Sequence, residues 1–136
     1  ISAAIYKCFT SVNTYIAIAF GGAFGAVSRF WIQSAVQRFN GSSFPLGTFS
    51  VNILGSFLIG VFFVVLAEKA QLAEPWRPLV AVGFLGAMTT FSTFSLDALL
   101  LFEQGHYNTA LFYIVSSVAL CLFAAFAGMQ VTRVML

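Results

Sequence analysis

Apolar residues along this chain gather into four long blocks with short polar interruptions, approximately Tyr15–Val36, Gly47–Ala67, Pro78–Phe102 and Tyr107–Val134. Each approaches or exceeds the roughly 20 residues that a helix needs to cross the hydrocarbon core of a bilayer. The interruptions carry helix-ending residues. Asn40-Gly41-Ser42-Ser43-Phe44-Pro45 separates the first two blocks, and Glu68-Lys69-Ala70-Gln71 through Glu74-Pro75-Trp76-Arg77-Pro78 separates the next two. Glu103-Gln104-Gly105-His106 is short enough to force the last two blocks into an antiparallel hairpin. Trp31, Trp76 and Tyr107 fall near block ends, where amphipathic rings prefer the membrane interface. The pattern predicts an all-α membrane protein: four transmembrane helices in a single domain over 1–136, with Ile1–Asn13 as an N-terminal extension.

Composition removes the other classes. Charged residues make up 7% and hydrophobic ones 60%, and the mean hydropathy is +0.97. An ordinary soluble domain carries about 25% charged residues. A net charge of +2 without a basic cluster speaks against nucleic acid as a partner. Cys8 and Cys121 are too few for a disulfide framework. No Cys, His and carboxylate cluster has metal-ligand spacing and no nucleophile–base motif occurs, so an enzyme is not expected. His106 reads as a solvated loop histidine. No cleavage-type pattern follows Lys7, so no removed signal peptide is expected. Four spans put both termini on one side with Lys7, Lys69, Arg77 and Arg133, against Arg38 on the other, where Arg29 is a candidate to join it. Counting these cations favours cytoplasmic termini.

The third block departs from a lipid-facing helix. Thr89, Thr90, Ser92, Thr93 and Ser95 crowd five hydroxyls into seven positions, after Gly83 and Gly86 and around Phe91 and Phe94. Threonine disfavours helix mildly, and both hydroxyl types compete for backbone hydrogen bonds. The run predicts a break in the spanning helix at mid-membrane depth. Irregular backbone is tolerated there only inside protein or along a wet cavity, and such breaks hold ions or substrates in transport proteins. The predicted task is movement of a small ion.

Polar residues inside the other blocks each admit a plain and a functional reading. Gly21, Gly22 and Gly25 form a small-residue face whose plain use is close helix contact. Arg29 must snorkel, pair or face water; snorkelling and a role at an anion-attracting vestibule weigh equally. Thr48, Asn52, Ser56 and Gly60 recur at every fourth position. Ser56 and Gly60 read as packing residues. Asn52 serves either a hydrogen bond between helices or a passing anion, and the second is slightly preferred. Thr109, Tyr113, Ser117 and Cys121 make a comparable stripe that could line a narrow polar path. Asp97 is the one carboxylate well inside a block; it pairs with a donor, anchors the second half-helix or titrates. Phe91 and Phe94 can turn their ring edges, which are electropositive, toward an anion.

Three motifs carry a family resemblance: Gly21-Gly22-Ala23-Phe24-Gly25-Ala26-Val27-Ser28-Arg29-Phe30; Gly47-Thr48-Phe49-Ser50-Val51-Asn52-Ile53-Leu54-Gly55-Ser56-Phe57; and Gly83-Phe84-Leu85-Gly86 through Thr89-Thr90-Phe91-Ser92-Thr93-Phe94-Ser95. With them the chain resembles the Fluc (CrcB-type) fluoride channels over nearly its whole length from the first span onward. The resemblance implies an antiparallel, dual-topology homodimer in the bacterial inner membrane, with two pores that export fluoride passively and give fluoride resistance. It implies that Phe91 and Phe94 line each pore by their ring edges, that Asn52 is a pore-facing amide, and that Ser92, Thr93, Tyr113 and Ser117 belong to a polar track. It also implies a structural Na⁺ on the dimer axis, held by backbone carbonyls of Gly86 and Thr89. Cys121 stands where the family pattern expects serine, and Asp97 where it expects glutamate.

Two rival readings remain open. A small multidrug-type proton-coupled exporter is also a pair of four short spans, but it needs a carboxylate in the first span, where this chain has Arg29. A non-conducting assembly subunit would use its glycines and hydroxyls only to dock a partner helix.

Overall fold

The computed structural model describes residues 12–69 and 76–136. Lys7, Cys8 and the rest of 1–11, with the connection 70–75, lie outside the described residues. Helix α1 spans Val12–Arg38. Helix α2 spans Leu46–Phe63 and continues with a wider, π-helical winding over Val64–Lys69. The third span has three parts: a π-helical Pro78–Leu85, one α-turn at Gly86–Met88, called α3, and α4 at Phe91–Glu103. Helix α5 runs from Tyr107 to Met135. The described residues thus contain four helical spans long and apolar enough to cross a membrane, and the protein is a multi-pass membrane protein. The hydropathy blocks anticipate these bounds within a few residues, but not the π-helical winding.

Gly105, at φ 78, turns α4 into α5 and makes the expected antiparallel hairpin; glycine adopts that left-handed conformation without steric cost. Phe94, Ala98 and Leu101 of α4 pack on Ala110 and Tyr113 of α5. A second small core joins Val51 of α2 to Leu85 and Met88 in the first half of span three. The interruption between α3 and α4 therefore lies between two cores that grip its two sides.

Lipid is as apolar as leucine, so burying grease does not drive helices together in a bilayer; close backbone approach does. Helix α1 crosses the first half of span three at Gly21, Gly25 and Gly83, in agreement with the close-contact reading of the glycines. A methyl group added at Gly83 would stand 2.7 Å from the Ile18 carbonyl oxygen and 3.0 Å from the Gly21 Cα. Gly60 and Gly128 make a matching crossing between α2 and α5, each facing backbone of the other helix. Gly83→Val is expected to force α1 away and destabilise the fold by about 1–3 kcal/mol. Gly22, which a methyl would leave with no neighbour within 4 Å, should accept alanine with no loss. Thermal midpoints in detergent check both; equal midpoints for the two variants would refute the crossing as a stabilising contact.

Candidate functional site

The helix stops at Met88. Thr89 (φ −83, ψ 152) and Thr90 (φ −149, ψ 115) are extended, and α4 restarts at Phe91. The break predicted from the hydroxyl-rich run is therefore present and is two residues long. Its hydroxyls divide the work of ending one helix and starting another. Thr89 Oγ1 donates back to the Leu85 carbonyl at 3.1 Å. Thr90 Oγ1 accepts the Thr93 N–H at 3.2 Å and so caps α4, the usual task of a threonine at that position. It also bonds Thr93 Oγ1 at 3.0 Å and Ser92 Oγ at 3.2 Å. Ser95 Oγ merely returns to the Phe91 carbonyl of its own helix, at 2.9 Å.

Two spans hold the break open. Asn52 of α2 accepts the Thr90 N–H on Oδ1 at 2.8 Å and donates Nδ2 to the Thr90 carbonyl at 3.0 Å. Its amide thus imitates one rung of a β-ladder and satisfies both backbone groups of an extended residue. The plain reading of Asn52, a bond between helices, is what the geometry shows. A second N–H on Nδ2 is still available to another acceptor. Because the Thr90 N–H turns to Asn52, the Gly86 carbonyl loses its ordinary helical partner. Arg29 of α1 donates Nε to the Ala87 carbonyl at 3.1 Å. It is half-buried, and it serves the main chain at the break, a use that neither reading from the sequence foresaw.

Cavities flank the break. The first, of about 420 Å³, is lined by Asn52, Thr90, Phe91, Phe94, Ser117 and Cys121 among others. Gly86 and Thr89 also line it. The second, also about 420 Å³, is lined by Gln33, Gln37, Thr48, Thr93, Asp97 and Gln104 among others. Thr48 and Asn52, one turn apart on α2, line the second cavity and the first respectively. Thr93 and Phe94 do the same on α4.

A series of ring contacts links Phe91, Phe94, Tyr113 and Phe44. Phe91 and Phe94 have centroids 5.4 Å apart, Phe94 and Tyr113 5.2 Å, and Phe44 meets Tyr113 edge-on at 5.5 Å. Phe94 is 8% exposed and Phe91 77%. Tyr113 is wholly buried, and its hydroxyl donates to Asp97 Oδ2 over 3.4 Å. Asp97 thus has a donor, the pairing that one of its three readings expected. Thr48 is buried and accepts from Gln33 Nε2 at 3.3 Å. Ser117 Oγ is buried without any partner, and Cys121, one turn further along α5, is half-buried.

Of the expected residues, Asn52, Phe91, Phe94, Ser117, Gly86 and Thr89 meet at the first cavity, and Thr48, Thr93 and Asp97 at the second. Ser92 and Tyr113 reach them through hydrogen bonds and ring contacts, and Arg29 through the main chain. Sequence reasoning passed over Gln33 and Gln37. With Arg29 they form a polar stripe at every fourth position of α1, the same signal that singled out Thr48 and Asn52. Among the described residues no three His, Cys, Asp or Glu side chains converge as metal ligands. The chemistry available is a series of O–H and N–H donors, ring edges and freed carbonyls.

The family model described as "CrcB-like protein, Camphor Resistance (CrcB)" matches residues 16–129. A protein of Hahella chejuensis named fluoride-specific ion channel FluC is 50% identical over 126 residues, covering 93% of this chain and 99% of its own length. One of the same name from Saccharophagus degradans is 45% identical over 124 residues, covering 91% and 92%. One from Magnetococcus marinus is 48% identical over 116 residues, covering 85% and 94%.

Proposed function

This chain belongs to the CrcB-like family, and on that premise we propose that it is a fluoride-selective channel of the bacterial inner membrane that exports the anion passively. The observation that carries the reading is the two-residue break, clamped by Asn52 and set beside two cavities whose linings include hydroxyl and amide donors. Fluoride is small and holds its water tightly, so a path must replace that water with close donors at every step. From the second cavity an ion would pass the hydroxyls of Thr48 and Thr93, then the spare Asn52 N–H and the edges of Phe94 and Phe91. Ser117 has a hydroxyl with no protein partner and is ready to join. Tyr113 and Ser92 hold the track's neighbours in place. A potential of about 100 mV, negative inside, drives an anion outward by roughly 2.3 kcal/mol per charge. No energy source beyond the potential is needed.

We further propose that two oppositely inserted copies pair as a homodimer with two pores. Phe24 and Trp31 of α1 and Phe91 of α4 are left exposed on one copy, which supplies aromatic surface for a second copy or for lipid. A structural Na⁺ fits the donor set at the break. Alkali and alkaline-earth cations favour oxygen ligands, and the Gly86 carbonyl has lost its helical partner. Gly86 and Thr89 of each copy would together offer four oxygens. A bound cation would offset the cost of bringing an anion into a low-dielectric interior, which is high for an unpaired charge.

The deciding experiment is fluoride efflux from liposomes containing the pure protein. Rapid fluoride loss with chloride retained is expected. Absence of flux would favour the assembly-subunit reading, and proton-coupled export of a cationic drug would favour the exporter. Replacing Na⁺ by K⁺ or N-methylglucamine throughout purification should lower the efflux, and unchanged efflux would remove the cation from the scheme.

A further inference from the structure

The stripe on α5 ends in a thiol that the proposed permeation scheme does not use. Cys121 is half-buried and lines the first cavity together with Asn52, Phe91 and Phe94. A cysteine sealed in apolar packing is inert, whereas Cys121 is only half-buried and opens onto a cavity. A second and separate observation marks this part of the wall as a place where something binds. Ser117, one turn before Cys121, is 5% exposed and its Oγ has no hydrogen-bond partner, yet it lines the same cavity. A buried hydroxyl is almost always satisfied, and an orphaned one points to water or an ion beside it. On a helix, residues four apart have Cβ atoms about 5–6 Å from each other, close enough for one small ion to touch both side chains.

We propose that Cys121 and Ser117 form a site for soft, thiol-seeking monovalent cations such as silver or methylmercury, and that an ion held there stops permeation through the first cavity. Thiolate sulfur selects soft metals over the hard cations that oxygen prefers. Binding forms one S–metal bond and releases the thiol proton to solvent. No electrons are transferred, and the Ser117 hydroxyl stays protonated and offers a lone pair as second donor. The ion would stand opposite Phe91 and Phe94, where the neutral sulfur–metal adduct narrows the passage. That a block follows from occupancy rests on the channel reading; that the metal binds does not.

The test uses Cys8→Ser protein, in which Cys121 is the remaining cysteine of this sequence, beside the Cys8→Ser/Cys121→Ser double variant. Folded protein in detergent is treated with silver nitrate or methylmercury in chloride-free buffer, and intact mass is read. Reconstituted protein is assayed for fluoride efflux before and after treatment, each protein against itself. The expected result is one metal per Cys8→Ser chain and a fall in its efflux of about tenfold or more, since thiolates hold these metals tightly. The double variant should take up no metal and show no change. Adduct formation only after unfolding, inhibition of both proteins alike, or stoichiometric adduct with unchanged efflux would each overturn the proposal. Absence of fluoride flux in both proteins before treatment would instead remove the channel reading, and the mass measurement would still decide the metal site.

Discussion

Asn52→Asp protein reconstituted in liposomes should lose fluoride efflux by roughly a thousandfold while eluting and melting as a folded membrane protein. The carboxylate is isosteric and still accepts the Thr90 N–H that Asn52 Oδ1 now holds at 2.8 Å. It has no donor for the Thr90 carbonyl, 3.0 Å from Nδ2, and it puts a negative charge beside the proposed anion path. Two like charges about 4 Å apart repel by about 4 kcal/mol at an effective dielectric constant near 20, which corresponds to roughly three decades in rate. Asn52→Ala fails differently. It leaves the Thr90 N–H and carbonyl both without partners, at about 1–3 kcal/mol for each buried group, so its melting temperature should fall along with its efflux. Efflux at the original rate from both variants would separate Asn52 from permeation and from the break alike.

The second large effect concerns Phe94. Phe94→Ile retains most of the apolar bulk packed against Tyr113 but removes the electropositive ring edge. It is expected to abolish most fluoride efflux at a stability cost of about 1–2 kcal/mol, the range for a hydrophobic swap with altered shape. Phe94→Ala should cost about 3–5 kcal/mol because it opens a cavity in the contact between α4 and α5, so it cannot distinguish conduction from folding. Phe91→Ile makes the comparison, since Phe91 is 77% exposed and contributes little to that core. Loss of efflux in both isoleucine variants, with melting unchanged for Phe91→Ile, is the pattern expected of paired ring edges. Undiminished efflux from Phe94→Ile would assign that ring to packing alone.

The four spans were legible in the sequence because a bilayer demands long apolar stretches, and hydropathy registers them without knowledge of any contact. The break was legible because five hydroxyls within one apolar block have no lipid-facing use. Its limits at Thr89 and Thr90 were not, since Asn52 sets them from 38 positions away. Arg29 shows the same limit more sharply. Its partner is a main-chain carbonyl 58 positions distant, and every residue has a carbonyl, so no side-chain pattern announces the pair. Gln33 and Gln37 were readable in principle from their spacing with Arg29, but near the end of a span amides pass for interfacial residues. The π-helical winding of Pro78–Leu85 has no local signature in the sequence that announces it.

The clamp on Thr90 has a consequence for how the protein is made. Asn52 and Arg29 both belong to spans that leave the ribosome before Thr90 does, so the groups that bend the third segment are already in the membrane when it arrives. Until they engage it, that segment can satisfy its own backbone only as an uninterrupted rod. On that order the interruption is expected to form only once the first two spans are in place.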